Sequence, residues 1–262
     1  MNFLHLIHPL YSLSGLVVGL LVGFTGVGGG SLMTPLLVLV FHIHPATAVG
    51  TDLLYAGATK SVGTVVHGAS GTIEWGIVAR LAAGSVPASA ITLLMFSHFH
   101  AKMEAGHGVI TSVLGAALIL TAIAILFRRL IMKFFAEKVG DIEPGRRTWL
   151  TVLLGAILGV LVSVSSVGAG AIGVTVLLVL YPKLPAAKLV GSDIAHAVPL
   201  TLLGGFGHWL MGSVDFSLLI SLMVGSVPGI IVGSLLASRA PDSVLRPILA
   251  STLALVGGRL FF

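Results

Sequence analysis

The chain has 262 residues, of which 56% are hydrophobic and 9% charged, and its mean hydropathy is +1.10. A soluble domain carries roughly a quarter charged residues, so this composition excludes one and predicts an all-α integral membrane protein. The formal charge of +5 comes without an RNA- or DNA-binding signature, and zero cysteines exclude thiolate zinc sites, iron–sulfur clusters and disulfides. Neither nucleic acid nor a cofactor is an expected partner.

The N-terminus, Met1-Asn2-Phe3-Leu4-His5, has no basic region or small-residue cleavage site and leads into a retained first span. Apolar runs follow at about 10 to 27, 31 to 41, 46 to 66, 75 to 96 and 107 to 127. A second set lies at about 149 to 167, 171 to 181, 187 to 210, 216 to 237 and 243 to 262. Most are long enough to cross a bilayer, but 31 to 41 and 171 to 181 reach only about half way at a rise of about 1.5 Å per residue. They read as half-helices. Thirty-four glycines fit closely packed helices with breaks better than a barrel of alternating strands.

The first break is Gly26-Val27-Gly28-Gly29-Gly30-Ser31, where consecutive glycines end one helix and Ser31 can cap the next. Its echo is Val167-Gly168-Ala169-Gly170-Ala171. Non-helical backbone at membrane depth survives only where it is buried in protein or lines a wet cavity, and free amides at a helix start suit an anion. Close glycine packing between two helices is the competing reading.

The two sets of runs are an internal repeat. Gly15, Gly19, Gly28 and Gly30 recur at an offset of 140 as Gly155, Gly159, Gly168 and Gly170. After one inserted residue the offset is 141: Gly50-Thr51-Asp52 meets Gly191-Ser192-Asp193, Gly63 meets Gly204, His67 meets His208, and Glu74 meets Asp215. Gly84-Ser85-Val86-Pro87 likewise meets Gly225-Ser226-Val227-Pro228, glycine and proline pairs that could kink a helix near a hinge. The repeats span 1–127 and 149–262. Between them, 128–148 is a charged linker holding Arg128, Arg129, Lys133, Lys138, Arg146 and Arg147, and the positive-inside rule puts it in the cytoplasm. If each half-helix is a crossing, each repeat has five segments and the two are inverted. If the half-helices are re-entrant, each repeat has four spans and the two are parallel. Lys183, Lys188 and Arg239 favour the inverted count, against Lys102 and Arg259.

On the third segment Asp52, Ala56, Thr59, Lys60, Gly63 and His67 share one helical face, and Asp193, Ala197, Leu200, Thr201, Gly204 and His208 form the matching stripe. Polar groups at this depth should face each other, a partner or water, so these stripes form the second wall of the cavity. Lys60 lies about 12 Å along the axis from Asp52 and can either attract an anion or pair with a carboxylate on another helix. Asp52 and Asp193 are expected as helix N-caps, with ion coupling as the alternative. His67 and His208 meet helix-end carbonyls or shuttle protons. His98, His100 and His107 with Glu104, and His42 with His44, are read as solvated loops, so no metal is expected. No His-Glu-x-x-His or Gly-x-Ser-x-Gly string supports an enzyme.

The Gly-Val-Gly-Gly-Gly-Ser run followed by Pro35, the Ala48-Val49-Gly50-Thr51-Asp52 run, His67 before Gly71, and the glycine-rich second repeat resemble the sulfite exporter TauE/SafE family of membrane permeases. The resemblance covers nearly the whole chain. It implies a multi-pass transporter of the inner or plasma membrane acting on sulfite, sulfonates or related sulfur-containing anions. Ala169 stands where the first motif has Gly29, and Thr175 where it has Pro35, which puts a symmetric two-site mechanism in doubt. The expected function is secondary transport of a small anion by alternating access. The substrate site comprises Gly28, Gly29, Gly30, Ser31, Gly168, Ala169, Gly170 and Ala171, flanked by Thr59, Lys60 and Thr201. Asp52, Asp193, His67 and His208 are the candidates for a coupling proton or sodium ion. An anion channel and a non-transporting structural membrane protein are the alternatives. Membrane lipid is a partner; the identity of the anion, the direction of transport and the oligomeric state are not set by these residues.

Overall fold

A computed structural model of the chain describes residues 8–25, 30–104, 107–127, 130, 142–236, 251, 254 and 258. Every regular element among them is helical: α1 (Pro9–Thr25), α2 (Gly30–Leu39), α3 (Pro45–Ala69), α4 (Trp75–Glu104), α5 (His107–Leu126), α6 (Pro144–Ser165), a π-helical turn (Ala169–Gly173), α7 (Val174–Leu180), α8 (Ala186–Leu210) and α9 (Phe216–Leu236). Gly28, Gly29, most of the linker and nearly all of the last apolar run lie outside the described residues. Three described helices are long and apolar enough to cross a membrane: Trp75–His98, Pro144–Ser165 and Ala186–Leu210.

Proline sets several starts, because a first-turn N–H has no intrahelical partner to lose. Pro9, Pro45 and Pro144 open α1, α3 and α6, and Pro185 precedes α8. Glycine sets two ends. After α3, Gly71 takes φ 64° while Thr72 N–H donates to His67 O and Gly71 N–H to Gly68 O; after α8, Gly212 takes φ 74° while Ser213 N–H donates to His208 O and Gly212 N–H to Trp209 O. These are Schellman ends, which satisfy the orphan carbonyls of the last turn.

Several boundaries differ from expectation for one physical reason: hydropathy marks where hydrocarbon ends, whereas helices continue into the polar zone. Thus α6 starts at Pro144 rather than near 149, taking Arg146 and Arg147 into its first turns, and α4 continues to Glu104, placing His98 and His100 on a helix rather than in a loop. Asp52 and Asp193 are not N-caps. With starts at Pro45 and Ala186, both lie two turns inside their helices and are buried. Ser31 lies inside the first turn of α2, not ahead of it.

Packing is close, and polar side chains are buried among the apolar clusters. In α1 and α9, which run parallel, a Cβ on Gly15 would strike the Leu222 backbone, and one on Gly19 would sit 2.6 Å from Ser226 O. In α6 and α4, also parallel, Gly155 meets the Leu81 backbone and a Cβ on Gly159 would sit 2.5 Å from Ser85 O. Gly84 and Gly225 serve the same contacts from the other side, against Val152 and Ser12. Small residues let membrane helices approach this closely. At the centre α3 and α8 run antiparallel, Gly50 against Ser213 and Gly191 against Thr72. Serines and threonines including Ser85, Ser89, Thr151, Ser163, Ser192 and Ser226 are buried, whereas Val17, Ile91, Leu94, Ile157, Val160, Ile220 and Val224 are exposed. A soluble protein would invert that arrangement; here the apolar exterior is a lipid-facing surface.

The short helices turn back. Tyr11, near the start of α1, makes an edge-on ring contact with Phe41, just beyond α2, at 4.9 Å. Thr151 of α6 hydrogen-bonds at 2.9 Å with Tyr181, just beyond α7. Each short helix therefore returns toward the end from which the preceding long helix set out.

Candidate functional site

The break after α6 is built from three unusual residues. Ser166 adopts a left-handed conformation (φ 59°), Gly168 has φ 115°, and the π-turn follows, with the N–H groups of Ile172 and Gly173 both donating to Gly168 O. A side chain at Gly168 would be strained, because L-residues rarely adopt that φ. The loose ends are tied locally: Val167 N–H donates to Ser165 Oγ at 3.2 Å, and His208 Nε2–H, reaching over from α8, donates to Ser163 O at 2.9 Å. Buried backbone groups are thereby satisfied away from helical geometry.

Two aspartates flank this break. Asp52 accepts from Thr34 Oγ1 of α2 through Oδ2, while its Oδ1 has no hydrogen-bond partner. Ser166 Oγ faces the same carboxylate but forms no hydrogen bond of good geometry. Asp193 Oδ1, also without a partner, occupies the space a Cβ on Gly173 would need, so the missing side chain in the π-turn makes room for the carboxylate. Lys60 lies within electrostatic reach of Asp193 and, more weakly, of Asp52, yet its ammonium makes no hydrogen bond or close ion pair with a described residue. A buried polar group without a partner is costly, and a native structure that keeps several together implies an occupant such as water or a ligand. Two carboxylates with bare oxygens, together with Ser166 Oγ, form such a group here, beside the half-buried Lys60.

The next turn adds residues that sequence reasoning missed. Tyr55 Oη hydrogen-bonds with Ser226 Oγ, joining α3 to α9. His196 Nε2 hydrogen-bonds with Ser85 Oγ at 2.8 Å, joining α8 to α4, and its buried Nδ1 has no partner. Tyr55 and His196 each lie three residues beyond an aspartate, at the same 141-residue offset. That spacing is the signal that could have found them.

The other expected site residues separate into groups. Thr59 Oγ1 donates to backbone oxygens of its own helix, Tyr55 O and Ala56 O, and Thr201 Oγ1 does so to Ala197 O. Both threonines lie on α3 and α8 but spend their donors locally. Gly170 is half-buried in the π-turn, whereas Ala171 packs with Leu114, Leu118 and Val167 in the cluster that α5 forms against the break. The surroundings of the Ala169 and Ser31 side chains, and of Gly30, fall outside what the structure describes. His67 shares a 2.8 Å hydrogen bond with Thr72 across the end of α3. His67 thus lies at the end of its own helix and His208 against a carbonyl in the last turn of α6.

Comparison with known proteins identifies the framework. The family model for sulfite exporter TauE/SafE matches residues 11–260. The chain belongs to this family. "Probable membrane transporter protein YjnA" of Bacillus subtilis is 38% identical over 252 residues, 95% of this chain and 97% of that protein. "Probable membrane transporter protein YdhB" of the same organism is 31% identical, covering 94% and 97%. A Methanocaldococcus jannaschii protein, also described as a probable membrane transporter, is 26% identical and covers 80% and 75%. These are descriptions of transporters and not of enzymes, and together with the apolar helices they make this TauE/SafE chain a multi-pass membrane protein. No solved structure gives a significant match.

Proposed function

We propose that this TauE/SafE protein is a secondary transporter for a small, sulfur-containing anion such as sulfite or a sulfonate, and that Lys60 is the charge the anion meets. The observation that carries the reading is the ammonium of Lys60, which makes no close ion pair among the described residues and lies within electrostatic reach of Asp193, the aspartate against the π-turn, in the middle of an apolar chain. Membrane-embedded ionisable groups of this kind mark substrate and ion pathways. The family's description as sulfite exporters supports the substrate class. Asp52 and Asp193, each with a bare oxygen, are the ports for a coupling proton or sodium ion; His67 and His208 are committed to helix ends.

Alternating access would proceed between two inverted repeats, the second beginning at Pro144 where α6 starts. Paired contacts support this: Gly15 against Leu222 matches Gly155 against Leu81, and Asp215 N–H donating to Thr51 Oγ1 matches Glu74 N–H donating to Ser192 Oγ, all at the sequence offsets of 140 and 141. The antiparallel α3–α8 pair and the returning short helices favour inversion. Arg80, Arg146, Arg147, Lys183 and Lys188 gather at one end, which the positive-inside rule assigns to the cytoplasm.

The test is uptake into proteoliposomes of labelled sulfite, thiosulfate, taurine and small carboxylates, with wild-type protein and Lys60→Ala. A small anion should enter with the wild type and lose most of its flux with the variant, at equal amounts of folded protein. Equal flux in both would remove Lys60 from the site.

A further inference from the structure

At the arginine-rich end, three helices meet around one tyrosine. Arg80 of α4 donates from Nη1 to Tyr181 Oη at 3.2 Å. The guanidinium carbon of Arg147, in the first turn of α6, stands 5.6 Å from the centroid of the Tyr181 ring. Thr151 Oγ1 donates to Arg147 O at 2.8 Å and shares a 2.9 Å hydrogen bond with Tyr181 Oη. Arg147 Nη2 donates to Ile142 O at 3.1 Å, while its Nε is buried and has no partner. Neither guanidinium meets a carboxylate among the described residues; the nearby ion pair of this end, Lys188 with Glu74, uses neither arginine.

Two like charges held against one ring at a membrane boundary repel each other through a poorly screening medium, and a shared anion would remove that cost. Packing alone does not require them. The corresponding corner at the far end of the molecule, reached by the same 140- and 141-residue offsets, places Phe41 for Tyr181, Tyr11 for Thr151 and Ser221 for Arg80. It is closed by a Tyr11–Phe41 ring contact, by His8 N–H donating to Ser221 Oγ and by Ser12 Oγ–H donating to Ser221 O, with no arginine or lysine among its described residues. The arginines are thus an addition to a corner that holds without them.

We propose that Arg80 and Arg147 form a phosphate clamp, separate from the Lys60 site, that binds a phosphate group at the membrane surface. Guanidinium forks match phosphate oxygens geometrically, and Arg80 spends only Nη1 on a partner among the described residues. The depth favours a lipid headgroup as the source: Trp75, opening α4, and Trp149, two residues beyond Arg147, are 62% and 61% exposed, and exposed tryptophans sit at the headgroup level. Basic pockets between membrane helices bind anionic headgroups in this way.

The test uses the full chain in detergent and needs no transport assay, so it stands or falls independently of the substrate. Thermal unfolding and native mass spectrometry are run with phosphatidylglycerol, with phosphatidylcholine and with inorganic phosphate. The proteins are the wild type, Arg80→Gln/Arg147→Gln, and Arg146→Gln, an exposed neighbour outside the pair. Phosphatidylglycerol should stabilise the wild type and Arg146→Gln and remain bound, with affinity falling about tenfold or more in the double variant, the effect of losing one or two charge-assisted hydrogen bonds. If inorganic phosphate protects instead, with the same dependence on the two arginines, the clamp stands and its ligand is the soluble ion. Equal responses of wild type and double variant to both probes, or no response to either, overturn the proposal. Should the double variant not fold, Arg80→Lys/Arg147→Lys keeps the charge and removes the fork. Unchanged lipid retention in that protein would likewise overturn a clamp based on fork geometry.

Discussion

Replacing Gly225 by alanine should loosen the α1–α9 pair measurably. An added Cβ would overlap the Ser12 carbonyl oxygen and lie 2.6 Å from its carbon and 2.8 Å from Leu16 N, where ordinary contacts are 3.4–4 Å. The obstacle is backbone, so no rotamer change relieves it, and the helices must part by about 1 Å, a gap that forfeits a quarter to a half of the dispersion well for each contact opened. That separation also opens the contacts at Gly15, Gly19 and Gly229 on the same seam. Overpacking costs about 1–3 kcal/mol, and the better helix propensity of alanine returns up to about 1 kcal/mol, leaving a net loss of about 1–2 kcal/mol with the lost seam contacts included. For a chain of this size each kcal/mol moves Tm by about 2–4 °C, so a fall of about 2–8 °C is expected by intrinsic fluorescence in detergent. Gly84→Ala, facing Val152 O and Ala156 N, should fall by a similar amount, while Gly76→Ala, with nothing within 4 Å, should not fall. A Gly225→Ala protein that melts with the wild type refutes the close approach of α1 and α9.

Three further outcomes follow from the site. Lys60→Met removes a cation that Asp193 and, more weakly, Asp52 feel at a distance, with no close ion pair broken; its coupling to Asp193→Asn in a double-mutant cycle measured by thermal unfolding should be about 1 kcal/mol, and a coupling of about 3 kcal/mol or more, that of a broken buried pair, would refute the separation. Gly168→Ala, at φ 115°, should cost about 1–3 kcal/mol and lower anion flux in proteoliposomes, and an unchanged Tm would argue against the left-handed turn. Tyr55→Phe removes the partner of Ser226 at the α3–α9 contact and should lower stability by about 1–2 kcal/mol, read as a lowered Tm.

What was legible beforehand is what composition and backbone chemistry control locally. The half-length of the second and seventh segments, the break near Gly168 and the shared faces of Asp52 with Lys60 and of Asp193 with Thr201 follow from glycine and from helical spacing. The start of α6 differs because a proline outside the apolar run, Pro144, can open a helix that hydropathy alone begins later. Asp52 and Asp193 read as caps because each follows a Gly-Thr or Gly-Ser pair, although their apolar runs begin about six residues earlier. His196 escaped notice because a lone histidine among alanines and valines has no local signature; only its tie to Ser85 on another helix reveals it. The approach of Asp193 to Gly173 depends on the π-turn, a backbone irregularity that residue types do not announce.

The partnership of α1 with α9 has a consequence for biogenesis. Once α1 has left the ribosome it must wait for residues 216 onward before its glycine-lined face is covered, about 200 residues later, or on the order of 10–40 s of synthesis. During that interval its seam is open to lipid or to a holding factor in the insertion machinery. Two fragments divided in the charged linker, expressed together, should each be unstable alone and assemble only with the other, because neither carries both sides of the α1–α9 or the α4–α6 seam.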